Sequence, residues 1–232
     1  MCKKNRSDNL RITKKSSNFA KNFEDPTKLK PKDMRKLSII ICAMMALTMP
    51  SCAQKNDKSQ MTNGKSIVVF FSHAGENYAV GNIQVGNTKI VADYISELIG
   101  ADQAEIVTHK YDGMAYTPLT NLAQEEANND LLPEFELVPE VDFSQYDTIF
   151  IGGPIWWGTY PQVMFTFFSR YDLNGKTIYP FTTHEGSGLG NVVSDIRRAY
   201  PKANVQKGFG IYGHEVRTRR DKVEKWLRDA GF

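Results

Sequence analysis

The stretch SIVVFFS, Ser66 to Ser72, constrains the fold more than any other part of the chain. It is a continuous β-branched and aromatic run without polar alternation, the pattern of a strand buried on both faces. Such a strand needs helices above and below it, and the following sequence supplies them. Ile90, Val91, Tyr94, Ile95, Leu98 and Ile99 recur at helical spacing, and Gly100 can close that helix in a left-handed cap. AEIVTHK gives a second strand, YDTIFIGG a third, KTIYPFTT a fourth after an Asn174-Gly175 turn, and NVQKGFGIYG a fifth. Between and after them lie the helical patterns PQVMFTFFSRY, with Pro161 in the first turn, LGNVVSDIRRAY, and RRDKVEKWLRDAGF with Val223, Trp226, Leu227 and Ala230 on one face. From Tyr111 to Tyr146 the chain is polar, with a helix expected near PLTNLAQEEANND and an acidic loop around LLPEFELVPEVD. The alternation predicts an α/β fold with a five-stranded, doubly wound parallel sheet over residues 66–232.

In such sheets ligands bind beyond the carboxyl ends of the strands, where the strand order reverses. The loops there are SHAGENYAVGNIQVGNT, GPIWWGTYP and THEGSGLG. The first is long: loops from a strand to the next helix usually take about 2 to 6 residues. It ends in Gly86, Asn87 and Thr88 at a helix start, where free backbone N–H groups, a positive dipole end and the hydroxyls of Ser72 and Thr88 suit a phosphate. No Walker-type lysine accompanies it, which argues against a nucleoside triphosphate with magnesium. The second loop sets Trp156 and Trp157 at a strand end, where a flat aromatic ligand can stack. The third carries Gly186, Ser187 and Gly188 with His184 and Glu185 alongside. Each feature also has a plain structural explanation, as a helix start, a core cap or a turn.

GNT, WWGT and THEGSGLG at these places resemble the flavodoxin family, in particular a bacterial flavodoxin-like subfamily, and the likeness covers residues 66–232. The resemblance implies strand order 2-1-3-4-5 with FMN at the switch between the first and third strands, an arrangement general to flavodoxins. It implies that Ser72, Gly86, Asn87 and Thr88 hold the FMN phosphate. Pro154, Ile155, Trp156, Trp157 and Gly158 would line one side of the isoalloxazine, and Thr183, His184, Gly186 and Ser187 its other edge. The departure is HAGENYAVGNIQV, inserted between Ser72 and Gly86, which is expected to fold over the cofactor as a lid.

Several motifs lead elsewhere. GFGIYG, Gly208 to Gly213, spells G-x-G-x-x-G but lies within a strand and opens no helix. The four histidines of the body lack metal-ligand spacing, so no metal is expected. Ser187 lacks the first glycine of a nucleophile elbow. Arg217, Arg219 and Arg220 read as a solvated helix start.

The amino end differs in kind. Residues 1–33 hold ten Lys or Arg against four Asp or Glu and show no periodicity, as in a disordered or untranslated extension. Arg35 and Lys36 then precede the apolar run Leu37 to Met49, too short for a membrane-spanning helix. With Cys52 just after it, segment 34–52 resembles a bacterial lipoprotein signal, and 53–65 a polar linker. This implies an exported protein of the bacterial cell envelope, anchored through lipid on Cys52; the alternative is a cytoplasmic protein. Beyond residue 52 there are 17 Lys plus Arg against 22 Asp plus Glu, a net charge of −5, and no cysteine. Nucleic-acid binding loses its electrostatic basis, and disulfide and thiolate chemistry is excluded there. The expected function is electron transfer through FMN, with a redox partner protein or a membrane quinone as partner. The alternatives are an FMN-dependent quinone-type oxidoreductase, with His184 as proton donor, and a flavodoxin-fold binding module without cofactor.

Overall fold

The computed structural model describes residues 64–232. The extension 1–33, the signal segment with Cys52 and nearly all of the linker lie outside the described residues. The first strand, β1 (Ser66–Phe71), occupies the middle of the main sheet, flanked in parallel by β4 (Asp102–Val107) and β6 (Thr148–Pro154). Beyond β6 comes β7 (Thr177–His184), whose far side carries β8 (Asn204–Val205) at one end and β9 (Phe209–Tyr212) at the other. The connections are α1 (Asn87–Ile99), α2 (Tyr116–Asn128), α3 (Gln162–Arg170), α4 (Val192–Ala199) and the closing α5 (Arg220–Ala230). The α/β class with a mostly parallel central sheet is as the sequence predicts.

Successive side chains of a strand point to opposite faces, and β1 shows what its unbroken apolar run is for. Ile67, Val69 and Phe71 enter one core with Leu119 of α2, Val163, Met164 and Phe167 of α3, and Val192 and Ile196 of α4. Val68 and Phe70 enter the other, with Val91 and Ile95 of α1 and Val223, Trp226 and Leu227 of α5. Helix α1 stops where Gly100 takes a left-handed conformation (φ 68°) and its N–H returns to the Ser96 carbonyl.

The sheet holds more strands than the five expected, for two reasons. The acidic segment contributes β5 (Glu136–Val138), antiparallel to β4 at the outer edge, with only Leu137 of its three side chains buried. The fifth strand is split because of Pro180. The Ile178 carbonyl accepts from Gln206 N–H at 2.8 Å, so β7 directs every second residue, Pro180 included, toward that neighbour. Proline has no N–H to give, and pairing resumes only at Phe181 with Phe209.

The long first loop has structure of its own. β2 (Gly75–Asn77) and β3 (Gly81–Ile83) form an antiparallel hairpin, Gly75 opposite Ile83. Thus the insertion is a small second sheet standing beyond the carboxyl end of β1.

Candidate functional site

Beyond β1, the tip of α1 is built without a capping side chain of its own, since its N-cap is Gly86. Ser72 caps it from the strand end instead: Oγ accepts from Lys89 N–H at 3.0 Å. Glycine is required at 86 because a Cβ there would collide with Ser72 Oγ and the His73 carbonyl. The Thr88 hydroxyl is buried and shares a 2.8 Å hydrogen bond with that of Thr183 at the end of β7. The backbone N–H groups of Asn87 and Thr88 have no partner among the described residues, as the first turn of a helix leaves them.

Beyond β6, WWGT makes a tight turn. Trp156 and Thr159 exchange backbone hydrogen bonds of 2.8 and 3.3 Å, and both central residues have positive φ, 51° at Trp157 and 87° at Gly158, as in a type I′ turn. The two indoles diverge. Trp156 packs edge-on against Phe71, His73 and Tyr111, with centroids 5.1 to 5.8 Å away. Trp157 is 55% exposed, and its Nε1–H donates to the Thr120 carbonyl of α2 at 2.9 Å.

The third loop is tied to this turn: the Gly158 carbonyl accepts from Asn191 N–H at 2.8 Å. Gly190, with φ 48°, passes so close to that carbonyl that no side chain fits. Thr182 Oγ1 donates to the Gly188 carbonyl, and Gly186, with φ 121°, gives its N–H to His184 Nδ1 at 3.0 Å. The Glu185 carboxylate accepts from His214 N–H at 2.9 Å and meets its Nδ1 at 2.6 Å.

These parts enclose a cavity of about 430 Å³. Of the sequence-predicted residues, Asn87, Pro154, Ile155, Trp156, Trp157, Thr183, His184 and Ser187 line it. Ser72, Gly86, Thr88, Gly158 and Gly186 do not; they shape it from behind through the bonds and close approaches just described. Ser72 and Thr88 carry structural bonds here, one capping α1 through its oxygen and the other joining α1 to β7.

One wall escaped the sequence, and the other is formed by the insert for which a covering role was expected. Tyr116, Leu119, Thr120 and Ala123 form one face of α2, and Glu76, Asn77, Tyr78 and Val80 come from the hairpin. The first set has helical spacing, a usable signal in a stretch otherwise too polar to place. The hairpin is moored to α2: Glu76 Oε2 accepts from Tyr116 N–H at 2.8 Å, and the rings of Tyr78 and Tyr116 stack 6.1 Å apart. Gly213, the last glycine of GFGIYG, also lines the cavity. Arg217 departs from expectation as well. Its guanidinium reaches Asn87 Oδ1 at 2.8 Å and the Val85 carbonyl at 2.9 Å, whereas Arg219 and Arg220 pair with carboxylates on the surface.

Burial pushes the imidazoles of His73 and His184 below their usual range; Asp112 opposes this at His73, and Glu185 and Glu215 oppose it at His184. His184 also accepts a backbone N–H on Nδ1, which fits a neutral ring with its proton on Nε2. Because both values are depressed, the unfolded chain takes up these protons first as pH falls below about 6.5. Their contribution to stability is present above that pH and is lost on acidification. His109, raised by its hydrogen bond with Asp112, gains stability over the same range and offsets part of the loss, equally in both proteins compared below. Glu105, raised by burial, works against it. The urea midpoint is therefore expected to fall further between pH 7 and pH 5 in the wild type than in a His73→Gln, His184→Gln double variant. Equal falls in the two proteins would contradict this.

The arrangement has the attributes of a site for a planar ligand with an anionic tail: unpartnered N–H groups at a helix tip and aromatic walls beyond. A family model described as flavodoxin matches residues 65–230. The chain belongs to the flavodoxin family. Among solved structures, this flavodoxin is similar to two proteins classed as flavoproteins. One, from Bacteroides eggerthii, is 26% identical, covers 73% of this chain and 99% of its own, and has a TM-score of 0.57. The other, from Bacteroides uniformis, is 26% identical, covers 71% and 98%, and has a TM-score of 0.54. A flavoprotein from Lactobacillus acidophilus, solved in complex with FMN, shares the fold at 21% identity and a TM-score of 0.50, covering 71% of this chain and 99% of its own. No match was found among curated proteins.

Proposed function

We propose that this flavodoxin binds FMN in the cavity and passes electrons through it. One observation carries the proposal. The tip of α1 and the Trp156 indole, 69 positions apart in the chain, line the same cavity, and the Thr88–Thr183 hydroxyl pair locks the first of them to the sheet. The complex of the Lactobacillus acidophilus protein with FMN supports the choice of ligand. The N–H groups of Asn87 and Thr88 would receive the phosphate. Pro154, Ile155, Trp156 and Trp157 would flank the ring on one side, with Thr183, His184 and Ser187 at its other edge. When bound, the flavin supplies reversible uptake of one or two electrons. The chain's part is to exclude water with the hairpin and α2, and to hold His184 neutral beside the ring. A neutral imidazole would place no positive charge beside the flavin.

We further propose export and a lipid anchor on Cys52, on the strength of the basic residues and short apolar run before it. Among the described residues no helix is long and apolar enough to cross a membrane. The −5 charge of the chain beyond Cys52 suits a basic redox partner, and an anchor would also bring a membrane quinone within reach. A quinone-type oxidoreductase is the second functional proposal, favoured by the exposed Tyr78–Tyr116 stack at the cavity wall, a surface for a flat acceptor.

The test is to purify the protein, reconstitute it with FMN, remove free flavin and record the visible spectrum. A bound-flavin spectrum at one equivalent is expected; a colourless protein would leave only a binding module on this fold. Redox titration then separates the two electron-transfer readings, by one-electron steps for a carrier and a single two-electron step with fast quinone turnover for the reductase.

A further inference from the structure

We infer that Arg217 is a positioning residue for the phosphate end of the site, acting through Asn87 and adding its own charge; the inference rests on the FMN reading. Arg217 follows the short 3-10 turn Gly213–Glu215 and lies 130 positions from Asn87. A guanidinium only donates, so its 2.8 Å contact fixes which end of the Asn87 carboxamide is oxygen. The oxygen is turned to Arg217, and Nδ2 is thereby turned to Gly213, where the missing side chain leaves room: a Cβ on Gly213 would stand 2.5 Å from it. Asn87 thus presents a side-chain donor in the cavity, beside the two unpartnered N–H groups of the α1 tip. The second guanidinium contact, to the Val85 carbonyl, holds the backbone that leads into the helix.

Charge makes the same point independently. Neighbouring cations are neutralised: Lys89 by Asp93, Arg219 by Asp221, Arg220 by Glu97, Lys222 by Glu215, and the His214 ring meets Glu185. Arg217 has no carboxylate partner among the described residues. A free cation beside the positive end of a helix dipole is unfavourable by itself. A phosphate at the α1 tip would turn both into attractions, the helix tip through its N–H groups and Arg217 as a nearby charge behind Asn87.

Titration of the apo-protein with FMN and with riboflavin, followed by flavin fluorescence, tests this, because riboflavin is the same ring without phosphate. The wild type is expected to prefer FMN. Arg217→Ala should weaken FMN by about tenfold while leaving riboflavin unchanged, since Asn87 loses the bond that orients its carboxamide and the phosphate end loses a nearby positive charge. Arg217→Lys, which keeps the charge and loses the fork, should recover part of the loss. Asn87→Ala should cost less FMN affinity in the Arg217→Ala background than alone, as residues acting through one another do. An unchanged FMN-to-riboflavin ratio in Arg217→Ala, or an equal loss of both ligands, overturns the inference. A wild type that binds neither flavin overturns the FMN reading itself, and this inference with it.

Discussion

Gly152→Ala is expected to destabilise the protein by about 3 kcal/mol, the upper end of what overpacking a core usually costs. Gly152 lies in β6, paired with Phe70 on one side and Phe181 on the other, and the Phe181 ring lies over its α-carbon where a side chain would stand. The added methyl overlaps that ring outright. Phe181 is fully buried among Val68, Phe70 and Phe150, so it cannot swing aside without moving the centre of the sheet. For a domain of this size about 3 kcal/mol is roughly a 10 °C fall in Tm. The companion Phe181→Leu shortens the ring, so Gly152→Ala should cost markedly less in that background than in the wild type. Additive losses would show that the clash is not the cause.

Lys110→Met should cost about 2 kcal/mol, for an electrostatic reason. The Glu126 side chain is fully buried in α2; Lys110 Nζ reaches one carboxylate oxygen at 2.7 Å and the Tyr111 hydroxyl donates to the other at 2.8 Å. Removing one partner of a buried pair commonly costs about 3 to 5 kcal/mol, because the other charge is left without compensation. The smaller figure applies here because Lys110 is 39% exposed and water screens part of the interaction. The damage should reach the site, since the Tyr111 ring supports Trp156 at 5.1 Å. Replacing both charges, Lys110→Met with Glu126→Leu, should restore most of the stability while giving up the Tyr111 bond. Chemical denaturation of the three variants measures these differences. A Lys110→Met loss below about 0.5 kcal/mol, the usual range for inert surface changes, would contradict the proposed role.

How much of this was legible in the sequence depends on how far each feature reaches. β1 was plain because burial on both faces removes every polar residue, and α1 and α5 because burial on one face imposes a period. β5 was invisible: three residues with one buried side chain carry no pattern. The break between β8 and β9 could have been read from Pro180, but only by knowing which way β7 directs each residue. At the site, the glycine and tryptophan loops announced themselves through composition. The hydroxyl roles of Ser72 and Thr88 did not, since a hydroxyl facing a ligand and one capping a helix are spelled the same way. Arg217 has no local signal at all; its partner is 130 positions away and the connection exists only in the folded chain.

The measurement that bears most directly on the account is a crystal structure of the protein grown with FMN. The account predicts the phosphate on the N–H groups of Asn87 and Thr88, and the ring beside Trp156 with its far edge along His184 to Ser187. Ordered flavin bound anywhere else, or a ring in the cavity with its phosphate turned away from the tip of α1, would contradict it.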